Sequence, residues 1–269
     1  MRPEFLAPHR ITIWILAAVM SAIPLTAGCS SSSHAMGSGT EIIIFVDFSA
    51  SIHRQDRTLF AQAIENQIVP SLSAGDRLLI APITDKTLTE FHPLIDATLP
   101  PNPEFNGWLN NVLKYKQQER ETRAQVTQLK ETIRTQVANV FASHYSSPYT
   151  DIFSSLLIAQ KLFHNAARRK VLVLMSDMIE DYPPYHFEKI AWSTTTVQRI
   201  LSELDVRGQV PNLSGVCIYV SGASAQTAEM AENMGRFWQA YFQRTQADMD
   251  PSRYAHVLLH WPPSTSCPL

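Results

Sequence analysis

The chain carries no surplus of positive charge: 22 Lys and Arg stand against 24 Asp and Glu, a formal net charge of −2. A broad cationic face for nucleic acid is therefore not expected, and the balance fits a near-neutral soluble surface. Cysteine is confined to Cys29, Cys217 and Cys267. Several catalytic signatures are missing as well. There is no G-x-S-x-G elbow, no phosphate-binding loop and no H-E-x-x-H pair, and no second cluster of acids that would hold a second metal. Beyond the N-terminus no apolar stretch approaches the length of a membrane span, and no internal repeat is visible. What is present is an apolar fraction of 45% over 269 residues. That is enough for the core of one α/β domain with extensions.

The N-terminus reads as a segment apart. Arg2 and Arg10 precede an apolar run from Ile11 to Leu25 that is short for a stable span. A charged start, a short apolar stretch and small residues at its end are the pattern of a secretory signal. The end of that run, Leu25-Thr26-Ala27-Gly28-Cys29, resembles a bacterial lipobox, with Thr26 where Leu is commoner. The resemblance implies acylation of Cys29 after removal of residues 1–28, and Ser30 at the next position points to the outer membrane. Ordinary cleavage near Ala27, leaving Cys29 a free thiol, is the alternative. Residues 29–40 are small and suit a flexible tether. An exported compartment permits a Cys217–Cys267 disulfide, while the apolar surroundings of Cys217 suit a buried thiol equally well.

Further along, apolar runs occupy Glu41–Asp47, which ends in a carboxylate, Asp76–Thr84, Val171–Met175 and Leu213–Val220. Such runs predict parallel strands buried on both faces. Between them, apolar residues at helical spacing predict helices over Gln55–Val69, Asp151–Ala166, Thr195–Leu204 and Thr227–Arg244. An edge strand is expected around Thr89–Phe91 and a last strand over Tyr254–Trp261. The stretch from Asn106 to Ser143 has an apolar stripe only in its second half, and Lys114–Gln125 is almost wholly polar. As one helix it would reach roughly 55 Å, so it either overshoots the sheet or breaks into a hairpin. Alternating strands and helices predict a doubly wound, mostly parallel sheet covered on both faces.

Asp47 closes the first of these strands and opens the run Asp47-Phe48-Ser49-Ala50-Ser51. One carboxylate and two hydroxyls then converge at a strand's C-terminal end, where open α/β sheets bind ligands. They are hard oxygen ligands of the type Mg²⁺ prefers. Asp177 follows another buried strand, and Thr150 sits in the loop before a helix that precedes it. In these three segments the chain resembles the von Willebrand factor A family, exported bacterial members included. The match is to the family's metal-ion-dependent adhesion site. The resemblance covers about Glu41 to Trp261 and departs at Met178, where the family usually has Gly after the last Asp.

The resemblance implies a metal held by Asp47, Ser49, Ser51, Thr150 and Asp177, with Mg²⁺ expected and Mn²⁺ or Ca²⁺ as alternatives. It implies the partner too, an envelope or surface protein that offers an Asp or Glu to the ion. The expected organisation is a signal peptide (1–28), a tether (29–40), a von Willebrand factor A-like domain (41–261) with a helical insertion (104–143), and a Pro-rich tail (262–269). The expected function is a metal-dependent binding module of the cell envelope, attached to membrane through its N-terminal lipid only. A metal-assisted hydrolase, or a scaffold that binds through the insertion, are the alternatives; no catalytic constellation or organic cofactor is visible. Glu180 and Asp181 read as a solvated loop or as groups that tune the site, and His144 as a surface residue.

Overall fold

A computed structural model describes residues 39–105, 107, 112–143, 145–264 and 267. The expected signal peptide, Cys29, residues 29–38 of the tether and His144 lie outside the described residues.

Four apolar runs form the parallel part of one sheet: β1 (Thr40–Asp47), β2 (Arg77–Ile83), β4 (Arg169–Met175) and β5 (Val216–Ser221). A short β3 (Ile95–Thr98) pairs antiparallel with β2, and β6 (Tyr254–Ala255) pairs parallel with β5. The six strands lie in the order β3-β2-β1-β4-β5-β6. This is the doubly wound, mostly parallel α/β architecture that the alternation of runs predicts. Successive residues of β1 enter opposite layers, which is why the strand reads as unbroken apolar sequence. Ile42, Ile44 and Val46 pack with Phe60, Ile64, Ile133 and Val137. Ile43 and Phe45 pack with Phe153, Leu156, Leu201 and Trp238.

The first layer is built by α1 (Arg54–Ala63), which runs on through a π-helical turn (Ile64–Ile68) into α2 (Val69–Ser71), and by α3 (Val112–Ala142). The second holds α4 (Ile152–Phe163), α5 (Thr194–Val206) and α6 (Ala228–Arg244). Each of these three starts on a side-chain cap. Asp151, Ser193 and Thr227 accept from the amides of Ser154, Thr196 and Met230, satisfying donors that the first turn leaves free.

The insertion is one helix of 31 residues, about 46 Å long. Its polar stretch does not break, because it lacks Gly and Pro and is laced by pairs four residues apart, Gln117 with Glu121 and Arg123 with Glu119. Only Ile133 and Val137 are fully buried, so the helix is seated by its second half and Val112–Gln125 stays exposed or half-buried. No helix among the described residues is long and apolar enough to cross a membrane.

Two strand expectations shift. Thr89–Phe91 is not a strand. Thr84–Glu90 folds into turns around the Thr87 hydroxyl, which accepts from Thr84 N–H at 2.8 Å and donates to Thr84 O at 2.9 Å. The edge strand forms instead just after Pro93. The last strand shrinks to Tyr254–Ala255, because β6 sits at the sheet edge with one neighbour. Cys217 and Cys267 form a disulfide, which joins the tail to β5.

The strand order reverses between β1 and β4. The chain leaves β1 towards β2 on one side and returns to β4 on the other, so their C-terminal ends border a crevice.

Candidate metal centre

Asp47 ends β1 and is fully buried. Both of its oxygens are engaged: Oδ1 accepts from Ser49 N–H at 2.8 Å, and Oδ2 from the Ser176 hydroxyl at 2.8 Å. The first bond is local and follows from an Asx turn. The second crosses from β1 to the end of β4. Ser176 Oγ also accepts from Met178 N–H at 3.0 Å, and Asp177 Oδ1 from Ile179 N–H at 2.9 Å. Loop 176–179 is thus stitched by its own side chains to its own amides.

The hydroxyls of Ser49 and Ser51 lie 3.0 Å apart. The Ser51 side chain lowers the pKa of Asp177 against the effect of burial. Asp47, Ser49 and Ser51 share one hydrogen-bonded network with Ser176, whose neighbour in the chain is Asp177. Thr150 is brought to the same edge by its loop. Ser147 pairs with Ser49 in a β-bridge and donates its N–H to Phe48 O at 3.2 Å. Asp181 N–H donates to Thr150 O at 3.0 Å. Thr150 is buried, and among the described residues no hydrogen bond joins its hydroxyl to the other four.

Electrostatics set the character of the place. Burial raises the pKa of Asp47 above the ordinary carboxylate value, against the lowering effect of its hydrogen bonds. Burial, and then the charge of Asp47, push Asp177 up to about 7. Two carboxylates in one dry crevice cannot both ionise cheaply unless a cation joins them. The remaining donors are hydroxyl oxygens. The set contains no sulfur or imidazole, and its chemistry fits a hard divalent ion. A different grouping, Cys217, Asp248 and Cys267, does not: its two sulfurs are bonded to each other, and the Arg253 guanidinium already lies on Asp248, 3.2 Å away.

Met178 carries a backbone φ of 65°, the left-handed conformation that glycine adopts most readily. Met178 therefore takes up, without being glycine, a turn that glycine would adopt more readily. Its side chain is buried in the second layer, and Trp238 Nε1–H donates to its carbonyl at 2.7 Å. At the end of β5, Gly222 has a φ of 109°, and a Cβ there would meet Phe60 at 2.7 Å and Ser176 O at 2.8 Å. Glycine is required for that close approach.

Three residues supporting the site were not singled out for these roles from sequence. Arg57, on α1, donates to Phe48 O at 3.0 Å and to Tyr145 O at 3.0 Å, so its guanidinium clips the two loops together. Ser176 bridges the strands, as described. Glu180 is the third, and it is not a solvated loop residue. It is 1% exposed, and its carboxylate accepts from Ile152 N–H at 2.8 Å at the start of α4. Burial, reinforced by the charge of Asp151, raises its pKa well above the ordinary value. Asp181 is half-buried and bonded to the His186 ring at 2.5 Å.

No protein-family model matches the chain, and no curated protein matches it. Among solved structures it is similar to proximal thread matrix protein 1 from the mussel byssus, at 10% identity over 81% of this chain and 43% of that one, TM-score 0.38. It is also similar to the manganese-loaded TRAP protein of Plasmodium vivax, at 11% identity over 79% of this chain and 75% of that one, TM-score 0.36. A third is a von Willebrand factor type A structure from Catenulispora acidiphila, at 12% identity over 77% of this chain and 42% of that one, TM-score 0.33. The chain spans less than half the length of the first and third. These likenesses concern the fold and carry nothing about the chemistry of the crevice.

Proposed function

We propose that the chain is a metal-dependent protein-binding module in which Asp47, Ser49, Ser51, Thr150 and Asp177 hold a divalent cation at the β1/β4 crevice. The observation that carries this reading is the pair of buried carboxylates, each with a raised pKa, beside hydroxyl oxygens, with no ion pair to either carboxylate among the described residues. A donor set of carboxylates and hydroxyls fits a hard cation, Mg²⁺ foremost, with Mn²⁺ or Ca²⁺ as alternatives.

A bound cation of this kind supplies an electrophilic position that a carboxylate from outside completes. The chain's own residues do the rest. Ser176 and Ser49 N–H hold the Asp47 carboxylate in one orientation, Ile179 N–H does so for Asp177, and Arg57 fixes the loops on which the hydroxyls ride. The partner is accordingly a protein presenting Asp or Glu. The setting is the bacterial envelope, with Cys29 as the lipid-bearing residue after removal of residues 1–28.

Titration calorimetry of Mg²⁺ and Mn²⁺ into the full chain in mild detergent, beside Asp47→Ala, tests the reading. Saturable binding that the substitution abolishes is expected. Unchanged affinity in the variant sinks the assignment.

The exposed half of α3 favours one second reading, a scaffold that recruits its partner through the arm. Removing residues 114–125 separates the two. Partner capture that survives this deletion but not Asp47→Ala excludes the arm as the recognition surface.

A further inference from the structure

Helix α3 runs between the two ends of the sheet. Its last turn lies beside the crevice. There the Phe141 ring packs on Phe48, 5.7 Å between centroids, and Ser147, just past the helix, bridges to Ser49. Further back, Lys130 Nζ donates to Pro70 O in α2 at 2.8 Å. That contact marks the opposite end of the sheet. The loop after α2 turns on Asp76, whose carboxylate accepts from Ser73 N–H at 2.7 Å and from Thr40 N–H, at the start of β1, at 2.6 Å. Gly39 sits against the same loop, where a Cβ would meet Gly75 O at 2.4 Å. Val112 precedes Lys130 by eighteen residues, so the helix carries on about 27 Å past this end. Among the described residues of α3, no apolar side chain before Val126 packs on the core.

The overhang has two parts. Its shaft, from Glu119 on, mixes acids with bases and pairs them along the helix, Arg123 with Glu119 among them, as a solvated helix does. Its tip is different. Phe105, Val112 and Leu113 are 53%, 53% and 75% exposed, and the Phe105 ring stands edge-on to Tyr115 at 5.1 Å. From Phe105 to Gln118 the sequence carries Lys114 and Lys116 and no acid. Apolar side chains this open, with tyrosine and lysine beside them, suit the boundary between lipid headgroups and acyl chains. A helix that docks in a protein groove carries apolar anchors at helical spacing along its length. A surface met end-on needs them only at the tip.

The chain that leads away from this end of the sheet says which surface that is. Cys29 precedes Gly39 by ten residues, a reach of at most about 36 Å, which exceeds the overhang. A lipid on Cys29 therefore keeps a bilayer within range of the tip. We propose that the tip of α3 rests on the lipid surface in which Cys29 is anchored, a second attachment beyond the N-terminal lipid that holds the β1/β4 crevice away from the membrane. The proposal rests on the reading of Cys29 as the lipid-bearing residue. Phe105, Val112 and Leu113 enter the boundary region, and Lys114 and Lys116 meet anionic headgroups.

The test uses the full chain in vesicles of phosphatidylethanolamine and phosphatidylglycerol. Leu113→Cys carries an environment-sensitive dye, with the dye-treated parent as blank; Cys217 and Cys267 are buried in their disulfide and do not take it. The same dye on Ala50→Cys, at an exposed position of the crevice loop, reports the other end of the molecule. Spin-labelled lipid should quench the dye at position 113 several-fold more than at position 50, and emission at 113 should shift to the blue. Phe105→Asp with Val112→Asp, both at exposed positions, should abolish that difference and leave the melting temperature unchanged. Mass spectrometry of the N-terminal fragment reads acylation of Cys29 independently. Selective quenching at 113 with no acyl group on Cys29 supports the contact and removes only the anchor. An unquenched dye at 113, equal quenching at both positions, a blue shift produced by an added protein and not by lipid, or quenching that outlives the double substitution overturns the proposal.

Discussion

Replacing Asp177 by Asn should make the metal-free protein more stable, and the gain should grow with pH. In the native state Asp177 titrates at about 7, against 3.8 for an unperturbed aspartate. Its native pKa is raised, so the stabilising protonated form is fully present below the unfolded value. That contribution is lost as pH rises through the native one. The displacement of about three units corresponds to about 4 kcal/mol, more than half of which is lost between pH 5 and pH 8. Asparagine keeps an oxygen for the Ile179 N–H and removes the charge that Asp47 opposes. The assay is urea unfolding followed by tryptophan fluorescence at pH 5, 6.5 and 8, in chelator and in saturating Mg²⁺. In chelator the variant should be the more stable of the two, with the gap widening by about 2–3 kcal/mol from pH 5 to pH 8. In Mg²⁺ the parent should gain about 2.7 kcal/mol at a hundred times its dissociation constant, and the variant should gain nothing. A pH-independent gap, or a variant less stable than its parent at pH 8 in chelator, refutes the reasoning.

Met178→Gly relieves a left-handed residue, worth about 1 kcal/mol, but removes a fully buried side chain, which costs about 2–5 kcal/mol. Packing should win, and a rise in the urea midpoint would show that strain dominates. Reducing the Cys217–Cys267 bond opens a closure spanning 50 residues of sequence, worth about 4 kcal/mol in chain entropy. Reductant should lower the melting temperature accordingly, and an unchanged melting point would mean that the tail adds no constraint. Arg57→Ala strips a cationic donor from Phe48 O and Tyr145 O and should cost about 2 kcal/mol. Amide exchange at Ser147, whose N–H is bonded to Phe48 O, should speed up markedly; unaltered exchange there would show that Arg57 is no clip.

Much of the architecture is written in the chain because parallel strands buried on both faces have only one way to look. Ile42–Val46 and Val171–Met175 are apolar at every position, since each side chain enters one layer or the other. The same logic fails at the sheet's edges. β3 and β6 each have a single neighbour, so their residues answer to turns and to solvent as much as to a core. The helix α3 is ambiguous for a related reason: its polar half is exposed or half-buried, so no buried face stamps a period on it.

The crevice divides in the same manner. Asp47, Ser49, Ser51 and Asp177 sit where strands end, and their local spacing announces them. Ser176, Arg57 and Glu180 act through partners far along the chain: Ser176 on Asp47 across 129 residues, Arg57 on Tyr145 across 88, and Glu180 on Ile152 across 28. No window of sequence contains both members of any of these pairs, and Glu180 beside Asp181 looks like any solvated acidic pair. The strand reversal between β1 and β4 is what makes them necessary. It opens a gap that the ends of both strands face, and Asp47 and Asp177 lie there. The carboxylates there take donors from the end of β4 and the start of α4, and Arg57 on α1 holds the neighbouring loops through their carbonyls. The supporting residues therefore follow from the topology, and the proposed ligands announce themselves in the sequence.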